Sequence, residues 1–116
     1  KQAVKIGKFF ENNNILFDKV YSSEWCRCKE TALIAFNNFE TKSFLNSFFS
    51  SKFSQNKEPQ MKQLKKFIKS WNGEKNLVFV THYVVISESL NYAPSSGEIV
   101  ISDINLNVID TIEIEY

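Results

Sequence analysis

Among the fourteen Lys and Arg side chains of this 116-residue sequence there is one Arg, Arg27, and the sequence holds one His, His82. Arg27 follows the strand-like run Val20-Tyr21-Ser22-Ser23, and His82 ends the apolar run Leu77-Val78-Phe79-Val80-Thr81. A strand that stops at a polar residue and turns into a helix is where α/β proteins put their chemistry. Lys carries nearly all the other positive charge, so a lone Arg marks a place that Lys would not serve. A guanidinium is a planar fork that grips phosphate or carboxylate through two parallel hydrogen bonds, whereas an ammonium is a point charge. Arg27 and His82 therefore point to an oxyanion site.

The two cysteines, Cys26 and Cys28, are one residue apart. Their side chains diverge too far for a disulfide, and without a third Cys there is no disulfide framework. They read as small apolar helix residues. With a single His they supply too few ligands for a metal, so no metal and no cofactor is expected.

The elements that must hold these residues follow from periodicity. Lys1 to Glu11 carries Ala3, Ile6, Gly7 and Phe10 at helical spacing, and Asn12-Asn13-Asn14 stops it, since Asn tolerates the left-handed conformation that ends helices. Ile15 to Ser22 runs from loop into strand. Trp25 to Phe36 is predicted helical, with Ser23 as its cap and Glu24 suiting the positive helix start. Asn37-Asn38 closes it. Lys42 to Leu45 is predicted as a short strand and Asn46 to Asn56 as an ordered loop anchored by Leu45, Phe48, Phe49 and Phe53.

Pro59 to Trp71 is the clearest helix. Met61, Leu64, Phe67, Ile68 and Trp71 form its stripe, and Asn72-Gly73 ends it. Leu77 to Val80 is continuously apolar, as in a strand covered on both faces. Val84 to Leu90 is a short helix, Pro94 to Gly97 a turn, and Glu98–Ile101 with Val108–Ile114 an edge hairpin. Together these predict an α/β fold: three layers, with a mixed, mostly parallel sheet and helices on both faces.

Length fits one domain over 1–116. A hydrophobic content of 43% and eleven Phe supply a core and argue against disorder. A net charge of +1 carries no strong pull toward nucleic acid or anionic lipid. Lys62, Lys65, Lys66 and Lys69 fall on the wet face of a helix rather than in a binding patch. No apolar run approaches the roughly 18–20 residues of a membrane span. The sequence opens on Lys1 without a signal or targeting pattern. Neither the compartment, periplasm or cytoplasm, nor the oligomeric state is legible in it.

Two segments resemble the histidine phosphatase superfamily, also called phosphoglycerate mutase-like. One is Val20-Tyr21-Ser22-Ser23-Glu24-Trp25-Cys26-Arg27-Cys28-Lys29-Glu30-Thr31-Ala32; the other is Asn76 to His82, followed by Ser96-Gly97-Glu98-Ile99-Val100. In that family a strand ending in Ser-Ser leads into a helix whose first turn carries a phosphate-binding Arg, followed by Thr-Ala. A later strand ends in Thr-His, and that His also lines the phosphate pocket. Lys1-Gln2-Ala3 through Gly7 is similar to the helix after the family's first loop. Trp25-Cys26-Arg27-Cys28 and Leu45-Asn46-Ser47-Phe48-Phe49 resemble a bacterial subgroup. The resemblance spans nearly the whole chain, and its motifs occur in family order.

The resemblance also exposes a departure. Family members end their first strand in Arg-His-Gly or Arg-His-Ala, where the His is the nucleophile that takes the phosphoryl group. No His or Arg precedes Arg27 here, and His82 belongs to the other motif. The resemblance thus implies a domain whose first strand, with the nucleophile, lies outside these residues.

It further implies a metal-independent phosphomonoester hydrolase working through phosphohistidine on a small phosphorylated substrate. Arg27 and His82 would be the catalytic-pocket residues here. Ser23 and Glu98 are candidates for substrate binding, with Ser22 and Ser23 equally suited to capping the strand end. Backbone N–H groups near residues 24 and 84 would face the same oxygens. Glu24, Glu30 and Glu98 are the candidates for general acid by charge, Glu30 reading better as helix surface. Tyr83 stands where Gly is common after the second His and would narrow access. The fragment alone would be inactive and prone to aggregate. The alternative is a non-catalytic phosphate-binding or interaction module of the same fold.

Overall fold

Asparagine ends three of the four described α-helices; the other stops at Ser70. The computed structural model describes residues 2–48, 54–71, 75–95 and 98–114. Helix α1 (Gln2–Asn12) is followed by Asn14 at φ 53°, while the Asn13 amide donates to the Phe9 carbonyl at 2.8 Å. Helix α2 (Cys26–Phe36) stops at Asn37, φ 70°, whose N–H donates to the Leu33 carbonyl. Helix α4 (Tyr83–Leu90) stops at Asn91, φ 52°. Asn enters this left-handed region at little cost because its short amide can bond locally.

Three parallel strands form the main sheet in the order β2-β1-β3: β1 (Phe17–Ser22), β2 (Glu40–Thr41) and β3 (Asn76–Val80). The β1–β3 register pairs Tyr21 with Phe79 and Ser22 with Val80. Val20, Tyr21 and Ser22 are all buried although they alternate between faces, so this end of β1 is covered on both sides.

Helix α3 (Lys57–Lys69) lies on one side, where the Phe67 ring meets Tyr21 at 5.0 Å edge-on, and Phe44 and Phe79 join it. Leu45, Met61, Leu64 and Val85 complete that core. Helix α2 packs on β1 and β3 and carries α1 on its back, with Phe10, Phe17 and Phe36 interlocked edge to face. The chain is thus an α/β fold with a small parallel sheet and helices.

Several expectations change. Helix α2 begins at Cys26, and its N-cap is Trp25, without a side-chain cap; Ser23 is not the cap. Its hydroxyl accepts the Trp25 N–H at 3.1 Å and has a further partner. The stretch 42–45 is a 3-10 turn, Ser43–Leu45, rather than a strand. Phe44 and Leu45 are consecutive and both buried in one cluster, which strand alternation would send to opposite faces. The loop after Asn46 includes a second 3-10 turn, Ser54–Asn56, leading into α3. Phe49 and Phe53, Asn72-Gly73 and Ser96-Gly97 fall outside the described residues.

The terminal hairpin forms, β4 (Glu98–Ser102) antiparallel to β5 (Val108–Glu113), but as a two-stranded sheet of its own instead of an edge of a mixed sheet. Its connection is closed locally. The Asp103 carboxylate accepts the N–H groups of Asn105 and Asn107 at 2.9 and 3.0 Å, and Leu106 turns the chain at φ 66°. Such a short closure has a small entropy cost and lets the two strands satisfy each other.

Candidate functional site

The order β2-β1-β3 contains a reversal. From β1 the chain moves to one neighbour, β2, and then crosses back over β1 to β3. In open α/β sheets the crevice at the carboxyl ends of the strands, at such a reversal, is where ligands bind. Here that crevice lies beyond Ser22 and Val80, between the starts of α2 and α4. Ser23 follows β1 directly and its N–H donates to the Val80 carbonyl at 3.0 Å, one step past the last ladder pair. His82 stands two residues beyond β3 and caps α4, its carbonyl accepting the N–H groups of Val85 and Ile86.

Ser23 and His82 meet there. Ser23 Oγ lies 2.8 Å from His82 Nε2, and Cys28 Sγ lies 3.6 Å from the same nitrogen. The Trp25 indole stands edge-on to the imidazole, centroids 4.8 Å apart. His82 is half-buried, and Ser23 is fully buried.

Arg27 is the second residue of α2, exposed, and its positive charge acts on both His82 and Cys28. Burial, helped by that charge, holds His82 below its ordinary value near 6.5, so the neutral imidazole is favoured. Burial pushes the Cys28 thiol up, with Ser23 and Arg27 partly opposing it. Cys28 is therefore a protonated, buried thiol, while Cys26 is exposed. Among the described residues no group of three or more His, Cys, Asp or Glu side chains could hold a metal.

The remaining candidates sort by location. Glu24 follows Ser23 and is exposed; its carboxylate accepts from the Asn46 amide at 2.8 Å, and its N–H donates to Asn46 Oδ1 at 2.8 Å. That N–H is thus used within the protein. Glu30 is exposed on α2, and Tyr83 is exposed beside His82. Glu98 opens β4, where it accepts from the Tyr92 hydroxyl and the Ser95 N–H. These bonds hold its carboxyl below the ordinary carboxylate range. None of its described hydrogen bonds reaches His82 or Arg27.

One residue of the cluster stands out in the sequence only as part of the motif Leu45 to Phe49, with no site role. Asn46 lies just after the 3-10 turn, in a stretch read as loop, and its Oδ1 takes both the Glu24 N–H and the Ser23 hydroxyl, the latter at 3.1 Å. Its backbone is bolted down. Gln60 of α3 donates to the Asn46 carbonyl at 2.8 Å, and Thr81 donates to the Leu45 carbonyl at 2.6 Å. A cavity of about 310 Å³ opens beside it, lined by Trp25, Asn46, Ser47, Gln60 and Gln63 among others. A larger one, about 580 Å³, lies among α3, α4 and the hairpin loop, and neither Arg27 nor His82 lines it. No protein-family model matches this sequence, and no curated protein matches it either.

Proposed function

We propose that this chain is a phosphoglycerate mutase-like, histidine phosphatase domain whose Arg27 and His82 hold the phosphoryl group of a small phosphorylated substrate. The observation that carries this reading is the strand reversal between β1 and β3. A guanidinium-bearing helix start and the only imidazole of the chain both follow from strand ends flanking that one crevice. Phosphoryl transfer asks for fixed charge on the equatorial oxygens and for an in-line nucleophile. Arg27, exposed and unspent on any described carboxylate, suits the first demand. The second needs a further His, in the family's first strand, which these 116 residues do not contain.

A second reading keeps the fold and the anion but drops the chemistry: a phosphate-binding or interaction module. It is favoured by the engagement of His82 Nε2 with Ser23, which occupies one of the two ring nitrogens. One set of measurements separates the readings. Inorganic phosphate titrated into the chain, followed through the His82 resonances, should shift them. Arg27→Ala should weaken that binding by about 10–100-fold, the worth of a charge-assisted pair at roughly 1.5–3 kcal/mol. Arg27→Lys should recover only part of it. p-Nitrophenyl phosphate should not be turned over by the 116 residues but should be by the longer product of the reading frame, upstream strand included. Binding without turnover in both forms supports the module; no response to phosphate removes both readings.

A further inference from the structure

The hydrogen bonds around Ser23 fix more than its place. The Glu24 backbone N–H is a donor only, so the Asn46 atom that meets it at 2.8 Å is the amide oxygen, and the amide nitrogen correctly faces the Glu24 carboxylate at 2.8 Å. Ser23 Oγ lies 3.1 Å from that same oxygen, and two oxygens at this distance need a proton between them. The amide oxygen has none, so the Ser23 hydroxyl donates. A hydroxyl has one proton and two lone pairs. One lone pair takes the Trp25 N–H, also a donor only, at 3.1 Å. The other faces His82 Nε2 at 2.8 Å. Two lone pairs opposed at that distance would repel, so Nε2 carries a hydrogen. The Cys28 thiol at 3.6 Å is a far weaker competitor for the same nitrogen.

We infer that Asn46, acting through Ser23, is a positioning residue that fixes His82 as its Nε2–H tautomer and presents Nδ1 as the ring nitrogen open to a ligand. Among the described residues no hydrogen bond reaches Nδ1. Two backbone donors that cannot act as acceptors orient the relay, and Gln60 and Thr81 hold the Asn46 segment in place. The tautomer stands on these contacts alone; the role of Nδ1 as the anion-facing atom rests on the phosphate reading above. A neutral Nδ1 carries a lone pair, which accepts a proton rather than giving one. A dianionic phosphate meeting it must therefore bring a proton or bind as the imidazole takes one up.

Because His82 is the only His, long-range ¹H–¹⁵N correlations of the ¹⁵N-labelled chain report it without ambiguity. Above its pKa the native chain should show the pattern of a protonated Nε2 and an unprotonated Nδ1. Asn46→Ala frees the Ser23 proton to turn toward the ring, and the spectrum should move to an average of both tautomers. Asn46→Asp alone would set a second carboxylate against Glu24, so it is paired with Glu24→Gln, whose amide can donate to it; this double variant keeps an oxygen acceptor for Ser23 and should retain the native pattern. An Nδ1–H pattern in the native chain, or an unchanged Nε2–H pattern in Asn46→Ala, overturns the inference. The native spectrum decides even if Asn46→Ala fails to fold. Adding inorganic phosphate separates the two claims. An Nε2–H spectrum that ignores phosphate removes the phosphate reading and leaves the tautomer standing, and an Nδ1–H spectrum that responds to phosphate does the reverse.

Discussion

Ser23 Oγ and His82 Nε2 lie 2.8 Å apart although 59 residues separate them in the chain. That contact ties the carboxyl end of β1 to the residue that caps α4, directly over the β1–β3 seam. It joins the two sequence motifs on which the phosphate proposal rests, and it does so with a fully buried hydroxyl.

Ser23→Ala should therefore destabilise the fold without opening a large cavity. The substitution removes one oxygen but strips several groups at once: Asn46 Oδ1 keeps only Glu24, the Trp25 N–H loses this acceptor, and His82 Nε2 keeps only the long contact to Cys28. Asn46 and His82 are half-buried and Trp25 is exposed, so the cost falls at the low end of the roughly 1–3 kcal/mol for unpaired buried groups. Urea unfolding followed by circular dichroism should show a lower midpoint at unchanged slope. A native midpoint would mean that water replaces the hydroxyl at no cost.

The pH dependence of stability should carry a His82 component with a definite sign. His82 is held below its ordinary 6.5, first by burial and then by Arg27. The groups near it are the Arg27 cation, the neutral Cys28 thiol and, through Asn46 and Ser23, the Glu24 carboxylate. Since the unfolded chain binds the proton more readily, stability falls as pH drops through 6.5 and levels off below the folded value. Glu98 and Asp103, both held below their ordinary values by hydrogen bonds, act in a lower window. Their contributions are present above about 4.5 and lost as the pH falls further. His82→Gln should flatten the upper window and leave the lower one. Denaturant midpoints across about pH 2–8 check this, and an upper slope that survives His82→Gln would assign it to another group.

The strands and helices were legible wherever periodicity and punctuation agreed. The stripe Met61, Leu64, Phe67 and Ile68 specified α3, and asparagines marked where α1 and α2 end. The apolar run of residues 77–80 announced the strand β3, although its side chains are half-buried at the end of the sheet rather than fully covered. Residues 42–45 failed because Phe44 and Leu45 read as strand by composition, while their shared destination, the cluster under α3, is a tertiary fact. Ser23 read as a helix cap because its neighbours supply that pattern; its partner lies 59 residues away, beyond any local rule. Asn46 stood in the motif Leu45 to Phe49, but its role was hidden for the same reason. An asparagine in a polar loop has no spacing signature, and only the fold brings it to Glu24 and Ser23.

Gly7 gives a test of the helical layer that leaves the crevice untouched. A Cβ built on Gly7 would lie 2.5 Å from the Ala35 carbonyl oxygen and 3.1 Å from the Ala35 Cα. Both are backbone atoms of α2, so no side chain can swing aside, and α1 must move away from α2. The move would loosen the Phe10–Phe36 contact, now 4.9 Å between centroids. Overpacking of this kind costs about 1–3 kcal/mol, more than the gain in helix propensity of roughly 1 kcal/mol from replacing Gly with Ala. Gly7→Ala should unfold at lower urea concentration while His82 keeps its native resonances. A stabilised variant would mean that the two helices are free to separate.

The cysteines report on the crevice from inside, and their labelling rates should differ widely. Cys26 is exposed at the first position of α2. Cys28 is buried, 5% accessible, with its thiol pushed up by burial. Thiolate is the reactive species, so Cys28 is doubly disfavoured, by access and by protonation. In the native chain a disulfide reagent such as Ellman's should modify one thiol rapidly. The second should react only as fast as the crevice opens. In denaturant the two should become equivalent. Ser23→Ala and Asn46→Ala both weaken the contacts that close the crevice, so each should speed the slow phase and leave the fast one alone. Two equally fast thiols in the native chain would mean that α2 does not pack as described, and with it the Ser23–His82 contact would fail.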